Sequence, residues 1–214
     1  MYNIHHFHNA LNRHPLYWVR QLVDFYVKNN MASQGLTLSF SKYKYTPQSF
    51  ADERVNFTLP FNQLNEVVLF NIISGLHENE ELAFHSFMQD FGSVYHLPLI
   101  DFGNVDRGGI ESSPFRELCE HWNLSFRVYN SGRSYHAYGN KLISSEEWVR
   151  FMGSLLLLNK PSGFKLIDER WVGHRVMAGY SALRWSNNSS HYKKVPTFIG
   201  VLNSYGFEMD SVSN

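Results

Sequence analysis

The sequence predicts an α+β fold in which helices pack on antiparallel sheet, and three observations support this. Hydrophobic residues make up 43% and charged residues 18% of the 214-residue chain, enough apolar surface for a packed core. Segments with helical periodicity and segments with strict alternation both occur. Over residues 95–170 they follow in the order strand, helix, strand, strand, helix, strand. That order is typical of a ferredoxin-like or RNA-recognition-type sheet, which has helices on one face and leaves the other free for a site.

Residues 1–92 are predicted to form an amino-terminal α/β part. Its elements are a helix from Pro15 to about Asn29, strands over 36–45 and 57–61, and helices over 64–73 and 80–90. The helix has its apolar residues at i, i+3, i+4 and i+7, beginning at Val19. The segment 36–45 alternates strictly and should be a half-buried strand. Ser74-Gly75 should break the two later helices.

Residues 93–214 are predicted to form the RNA-recognition-like, catalytic-type part, and both parts together one compact domain. The predicted strands are 95–102, 125–130, 135–138, 165–167 and 179–185. One helix should begin at Ser112 or Ser113, next to a proline, and end near Trp122. Ser144 and Glu147 form a capping box that opens a second helix. Its predicted buried stripe is Trp148, Phe151, Met152 and Leu155.

Composition and charge limit the classes of partner. The formal net charge is zero, with 19 basic and 19 acidic residues, so nucleic-acid contact has to rest on a local basic patch. The single cysteine, Cys119, excludes an internal disulfide and a cysteine zinc site, and its context predicts a buried thiol. Four histidines without metal-site spacing are predicted to be surface imidazoles: His5, His6, His8 and His14. The absence of a long apolar segment predicts a cytoplasmic protein without membrane contact.

Two aspartates occur in the same local context, each at the predicted end of a strand. Asp101 and Asp168 both follow a Leu-Ile pair. On neighbouring strands, their carboxylates would project together and could hold a hard divalent ion such as Mg²⁺, with water and phosphate oxygens as further ligands. The alternative is that each aspartate caps a turn.

A cluster of polar residues lies between these aspartates, at residues 131–136, Ser-Gly-Arg-Ser-Tyr-His. The glycine lets the backbone approach a ligand, and Arg133 can fork onto phosphate oxygens. Ser134 and His136 offer hydrogen-bonding groups on one strand face. Alternate positions on a strand do not give the usual geometry of a nucleophile and its base, so serine catalysis is disfavoured.

The segment from Arg170 to Lys194 holds basic residues and no acid. Its cations are Arg170, Arg175, Arg184, Lys193 and Lys194. They interleave with aromatic residues and small hydroxyls, a combination that suits a phosphate backbone and a stacked base. The alternative is an ordinary solvated face or exposed hairpin.

These motifs together resemble the archaeo-eukaryotic primase (primase-polymerase) superfamily. Its members carry a strand-end acidic motif, a Ser-x-His motif and a later apolar-Asp motif, in that order. The corresponding segments are Ile-Asp-Phe-Gly at 100–103, Ser-Tyr-His at 134–136 and Ile-Asp at 167–168. The Ser-Gly-Arg before Ser-x-His and the Leu-Arg-x-Ser after the last aspartate are also similar to the family. The resemblance covers about residues 95–200.

The resemblance implies a primase-like fold and nucleotidyl transfer, in which a 3′-hydroxyl attacks the α-phosphate of a nucleoside triphosphate. The reaction would use a single-stranded DNA or RNA template and Mg²⁺ or Mn²⁺. Asp101 and Asp168 would be catalytic and bind the metal. The residues implied to bind the triphosphate or template phosphates are Arg133, Ser134, His136, Arg184 and Lys193. A helicase or another replication protein is the kind of partner that such an enzyme would have.

One position departs from the family pattern. Gly103 stands where the first motif has its second acid, so one of three metal-binding carboxylates is missing. Asp106 lies in the following loop, and Glu169 would point to the opposite strand face. Three functions therefore stay open: an active primase-polymerase, a non-catalytic primase-fold protein that binds nucleic acid or nucleotide, and an unrelated small-molecule phosphate enzyme. Gly103→Asp is expected to raise metal affinity, unless residue 103 requires a positive φ.

Overall fold

The computed structural model describes residues 12–211, which form an α+β fold with two five-stranded antiparallel sheets. The helices are α1 (Pro15–Lys28), α2 (Glu66–Ser74), α3 (Arg107–Ile110), α4 (Ser113–Trp122), α5 (Ser145–Leu156) and α6 (Glu169–Ala178), with a 3₁₀ turn at Phe61–Gln63. The strands are β1 (Thr37–Lys44), β2 (Arg54–Pro60), β3 (Glu80–Asp90), β4 (Ser93–His96), β5 (Leu99–Asp101), β6 (Phe126–Asn130), β7 (Tyr135–Gly139), β8 (Ala182–Arg184), β9 (Thr197–Asn203) and β10 (Gly206–Met209).

Helices with an apolar stripe on one side form where the sequence predicts them. α1 buries the predicted stripe, and α5 begins with the predicted capping box at Ser144 and Glu147. Cys119 is buried in α4, and burial raises the pKa of its thiol to about 12. Within the described residues, no helix combines the length and the apolar content that crossing a bilayer requires.

His14 is buried, so its prediction as a surface residue was wrong. It is the N-cap of α1, where its Nδ1 accepts from the Leu16 amide at 3.0 Å. Its Nε2 lies 2.9 Å from the carbonyl oxygen of Trp185, to which it donates. His5, His6 and His8 lie outside the described residues.

The helix predicted over 80–90 is instead the strand β3. β3 lies at the centre of the first sheet, whose order is β2-β1-β3-β4, and β8 also pairs with β3. Residues on both faces of β3 are buried, from Glu81 to Ser86. Burial on both faces removes the apolar–polar alternation that identifies a strand, so the spacing of the apolar residues does not distinguish a strand from a helix.

Three other predicted strands differ from the structure. The strand over 95–102 is divided at Pro98 into β4, in the first sheet, and β5, in the second. Proline cannot donate to a ladder, which favours a change of sheet there. The strand over 165–167 is reduced to a single antiparallel bridge between Ile167 and Phe102. β8 is shorter than predicted and joins the first sheet, whereas β9 and β10 were not predicted.

The second sheet has the order β10-β9-β6-β7-β5. The Phe102–Ile167 bridge extends it beyond β5, where a ferredoxin-like sheet has its fourth strand. α4 and α5 cover one face through Phe115 and Phe151. The other face was predicted to be free, but it is covered: Tyr138 packs in the core of the first sheet and accepts a hydrogen bond from Trp185 Nε1 at 3.0 Å.

Candidate functional site

The two aspartates of the acidic motifs lie next to each other. The Asp168 amide donates to the Asp101 carbonyl at 3.3 Å, beside the Phe102–Ile167 bridge. Asp101 ends β5, whereas Asp168 is the N-cap of α6 and not part of a strand. Its Oδ1 accepts from the amides of residues 170 and 171 at 2.9 and 3.0 Å. Asp168 therefore does cap a helix, in a position that also places its charge beside Asp101.

Asp101 lies in an unfavourable environment for a carboxylate. Burial, together with the negative charge of Asp168, raises its pKa well above the usual range, although the cations of Arg184 and Arg175 act in the opposite direction. The side chain remains 26% accessible to solvent. A divalent cation at this pair would relieve the repulsion between the two carboxylates, so the chemistry of the pair fits a hard metal ion.

His136 faces Asp101 across the β5–β7 ladder. Its Nε2 lies 3.7 Å from Asp101 Oδ1, and its Nδ1 is buried without a hydrogen-bond partner among the described residues. Burial and then the charge of Arg184 lower its pKa well below the usual range, so the imidazole is neutral near pH 7. An unpartnered buried nitrogen is costly, and a ligand that hydrogen-bonds to it would remove that cost.

Ser134 holds the segment that follows Asp101. Its hydroxyl is within hydrogen-bond reach of two carbonyl oxygens, that of Phe102 at 2.9 Å and that of Gly103. A hydroxyl has a single proton to donate, and here the backbone takes it. Ser134 thus positions the acid-bearing segment, which agrees with the argument against a serine nucleophile.

Arg133 and Lys193 lie together at the rim of the site, and both side chains are exposed. Arg133 Nη1 donates to His191 Nε2 at 3.1 Å. Gly132 has a φ of +105°, and a Cβ there would lie 3.2 Å from Lys193 Cβ. The glycine therefore allows the loop of Arg133 to approach the segment of Lys193 closely.

Arg184 lies beneath the site and not on its surface. The side chain is buried, and it donates to the carbonyl oxygens of Ser131 at 2.6 Å, of Lys194 at 3.1 Å and of Ser186. Its guanidinium carbon lies 4.0 Å from the centre of the Tyr192 ring. The predicted contact with phosphate would require it to leave these partners, whereas its charge acts on Asp101 and His136 as it stands.

A second cation of the basic segment, Arg175 on α6, is also buried. Its guanidinium contacts the Asp52 carboxylate, which also accepts from Arg54 Nε at 2.8 Å. Burial and the charges of Arg54 and Arg175 lower the pKa of the neighbouring His85 to about 3. The basic segment 170–194 is therefore not one solvated face. No local motif marks Asp52 as a partner of Arg175, because the two residues are distant in sequence.

Gly103 has no room for a side chain. Its amide donates to the Leu166 carbonyl at 2.9 Å, and a Cβ would lie 2.2 Å from the Lys165 carbonyl oxygen. The obstacle is the neighbouring backbone at Lys165 and not a positive φ, which Gly103 does not have.

Neither nearby acid takes the place of the missing carboxylate. Asp106 caps α3 by accepting from the Gly109 amide at 3.0 Å, and Glu169 pairs with Lys165. Among the described residues, no group of three or more His, Cys, Asp or Glu side chains could hold a metal ion. A cation would thus have two protein carboxylates, Asp101 and Asp168, and water or phosphate for its other ligands.

The chain was compared with known protein families, curated proteins and solved structures. A family described as AEP-like, archaeo-eukaryotic primase 1D-like, matches residues 60–197. Neither a curated protein nor a solved structure matches the chain. The matched region spans more than half of the chain and contains the acidic pair, the Ser-x-His motif and Arg184. The chain therefore belongs to the archaeo-eukaryotic primase-like family.

Proposed function

We propose that this protein binds a nucleoside triphosphate through one divalent ion, Mg²⁺ or Mn²⁺, on a primase-type domain formed by the whole described chain. The observation that carries the proposal is the convergence of Asp101, Asp168 and His136, whose Nδ1 is buried without a hydrogen-bond partner among the described residues. Family membership agrees with nucleotide and nucleic-acid binding. It also argues against the third interpretation, an unrelated phosphate enzyme.

Each residue of the site would make a different contribution to binding. A divalent cation, when bound, would neutralise the two carboxylates and withdraw charge from a phosphate oxygen. The neutral imidazole of His136 can hydrogen-bond to the triphosphate without repelling the cation. Arg133 and Lys193 are exposed at the rim, where they can contact phosphates. Arg184 adds a positive charge from below, held in place by its carbonyl partners.

Binding of this kind serves either of two functions. In a primase-polymerase, the bound triphosphate would be attacked by a 3′-hydroxyl on a single-stranded template. In a non-catalytic relative, it would be bound without transfer. The closed position of Gly103 favours the second function, because the third carboxylate of the family pattern is absent and cannot be accommodated without moving residue 165. A helicase or other replication protein is a partner for either function.

Replacement of Asp101 by asparagine tests the binding site. Asp101→Asn keeps the size of the side chain and removes its charge, so Mn²⁺-dependent binding of a fluorescent ATP analogue should weaken about 10- to 150-fold. His136→Ala and Arg133→Ala should weaken it to a similar or smaller extent. Asp106→Asn is the matched control, because asparagine also caps a helix and Asp106 lies outside the pair. If the Asp101, His136 and Arg133 variants all bind the analogue as tightly as the unmodified protein does, the proposed site is refuted.

Synthesis on a template separates the two functions. The full chain is incubated with single-stranded DNA or RNA, nucleotides and Mg²⁺ or Mn²⁺, beside Asp168→Asn. Asparagine retains the N-cap of α6, so a loss of activity in this variant reports the missing charge. Synthesis that Asp168→Asn abolishes would establish the polymerase. Metal-dependent nucleotide binding without synthesis would establish the non-catalytic protein.

A further inference from the structure

Three aromatic rings from two segments that are distant in sequence meet at one place on the protein. Tyr45 follows β1, whereas His191 and Tyr192 belong to the loop before β9. The centres of the Tyr45 and His191 rings are 4.4 Å apart at an angle of 31°, and Tyr192 meets His191 edge-on at 4.7 Å. Tyr45 stays 48% exposed although one face is covered by His191. Its outer face is therefore open to a further ring.

Basic side chains surround this aromatic group. Arg133 donates to the ring of His191, and Arg184 lies 4.0 Å from the centre of the Tyr192 ring. Lys193, which adjoins Tyr192 in the chain, is exposed. Two acids act on these rings through their charge, Glu81 on His191 and Asp101 on Tyr192. The carboxylate of Glu81 is buried and accepts hydrogen bonds from residues 186, 188 and 189. The surface is thus aromatic and positive.

The same residues connect this surface to the acidic pair. The hydroxyl oxygens of Tyr192 and Tyr43 are 3.5 Å apart. Burial raises the pKa of the Tyr192 hydroxyl, and the negative charge of Asp101 acts in the same direction. Arg133 lies in the loop that leads directly to His136. A chain lying over Tyr45 and Arg133 would therefore continue towards Asp101.

We propose that Tyr45, packed on His191, is a base-stacking surface for a single-stranded nucleic acid, with Arg133 and Lys193 contacting its phosphates. This inference rests on the proposed function and adds to it the position of the strand. Open aromatic faces with interleaved cations suit unpaired bases, whose rings stack with little regard to sequence. In a duplex the faces of the bases are hidden by stacking. The net charge of zero also gives the protein no overall electrostatic attraction for a duplex.

Binding of labelled oligothymidylate and oligouridylate, measured by anisotropy without metal or nucleotide, tests the surface. Tyr45→Ala should weaken binding about 5- to 150-fold, whereas Tyr45→Phe should retain most of the affinity because the ring remains. Tyr205→Ala is the surface control, since Tyr205 is 90% exposed in the turn between β9 and β10. Lys193→Gln should reduce the slope of log affinity against log salt by about 0.7.

The outcomes separate this inference from the proposed function. Equal affinity of Tyr45→Ala and the unmodified protein would overturn the stacking surface, and so would an unmodified protein that binds neither oligonucleotide. In both cases, Mn²⁺-dependent binding of the ATP analogue would still report on Asp101. The protein could also bind oligonucleotides through the Tyr45 ring and show no metal-dependent nucleotide binding. That result would support the stacking surface and refute the nucleotide site. Thermal melting of each variant shows that it is folded.

Discussion

Gly103→Asp should destabilise the fold and should not create a third metal ligand. A Cβ at residue 103 would lie 2.2 Å from the backbone oxygen of Lys165, and a backbone atom cannot move aside as a side chain tip can. The segment is also fixed by the amide of Gly103 and the hydroxyl of Ser134. Overpacking typically costs about 1–3 kcal/mol, and we expect a loss at or above the upper value. Urea unfolding measures it.

Two further variants identify the cause of that loss. Gly103→Ala adds the Cβ without the charge and should lose most of the same stability. Gly153→Ala in α5 is the matched control, because a Cβ there has no atom within 4 Å and alanine favours a helix over glycine. A Gly103→Asp protein with unchanged stability and higher Mn²⁺ affinity would contradict this prediction. It would restore the expectation, drawn from the sequence, that the missing acid can be replaced.

The second large effect is a loss of stability in mild acid, caused by buried neutral histidines. Burial lowers the pKa of His14 and His96 to about 4 and, with Arg54 and Arg175, that of His85 to about 3. Each imidazole titrates near 6.5 in the unfolded chain, which then binds more protons than the folded protein. The contribution of these neutral histidines to the free energy of unfolding is therefore fully present above pH 6.5 and is lost as the pH drops towards 4. Asp101, whose pKa is raised, has the opposite dependence.

The size of this effect can be measured by urea unfolding at pH 7.5, 6 and 5. At about 1.4 kcal/mol per pKa unit, each of the three histidines should lower the free energy of unfolding by about 2 kcal/mol between pH 7.5 and pH 5. His14→Asn should reduce the pH dependence while keeping a residue that caps α1. His77→Gln, at an exposed position, is the control. A free energy of unfolding that stays constant between pH 7.5 and 5 would contradict the prediction.

The sequence by itself determined the elements that are buried on one side. α1 and α5 each carry an apolar stripe at helical spacing. The bounds of α1 were predicted almost correctly, and for α5 the capping box and the buried stripe were predicted. The order of the acidic and Ser-x-His motifs was also sufficient to indicate the family. These signals are local in the chain. The local spacing of apolar residues shows which face of a helix or strand is buried.

Only the tertiary structure decided features that depend on distant partners. β3 is buried on both faces, so its periodicity does not distinguish a strand from a helix. Arg184 is buried and donates to the carbonyl oxygen of Ser131, 53 residues away in the chain, whereas Lys193 in the same basic segment is exposed. The Lys165 carbonyl closes the space at Gly103, and Tyr45 meets His191 only through the packing of separate loops. Such contacts are set by three-dimensional proximity, which no local spacing of residues encodes.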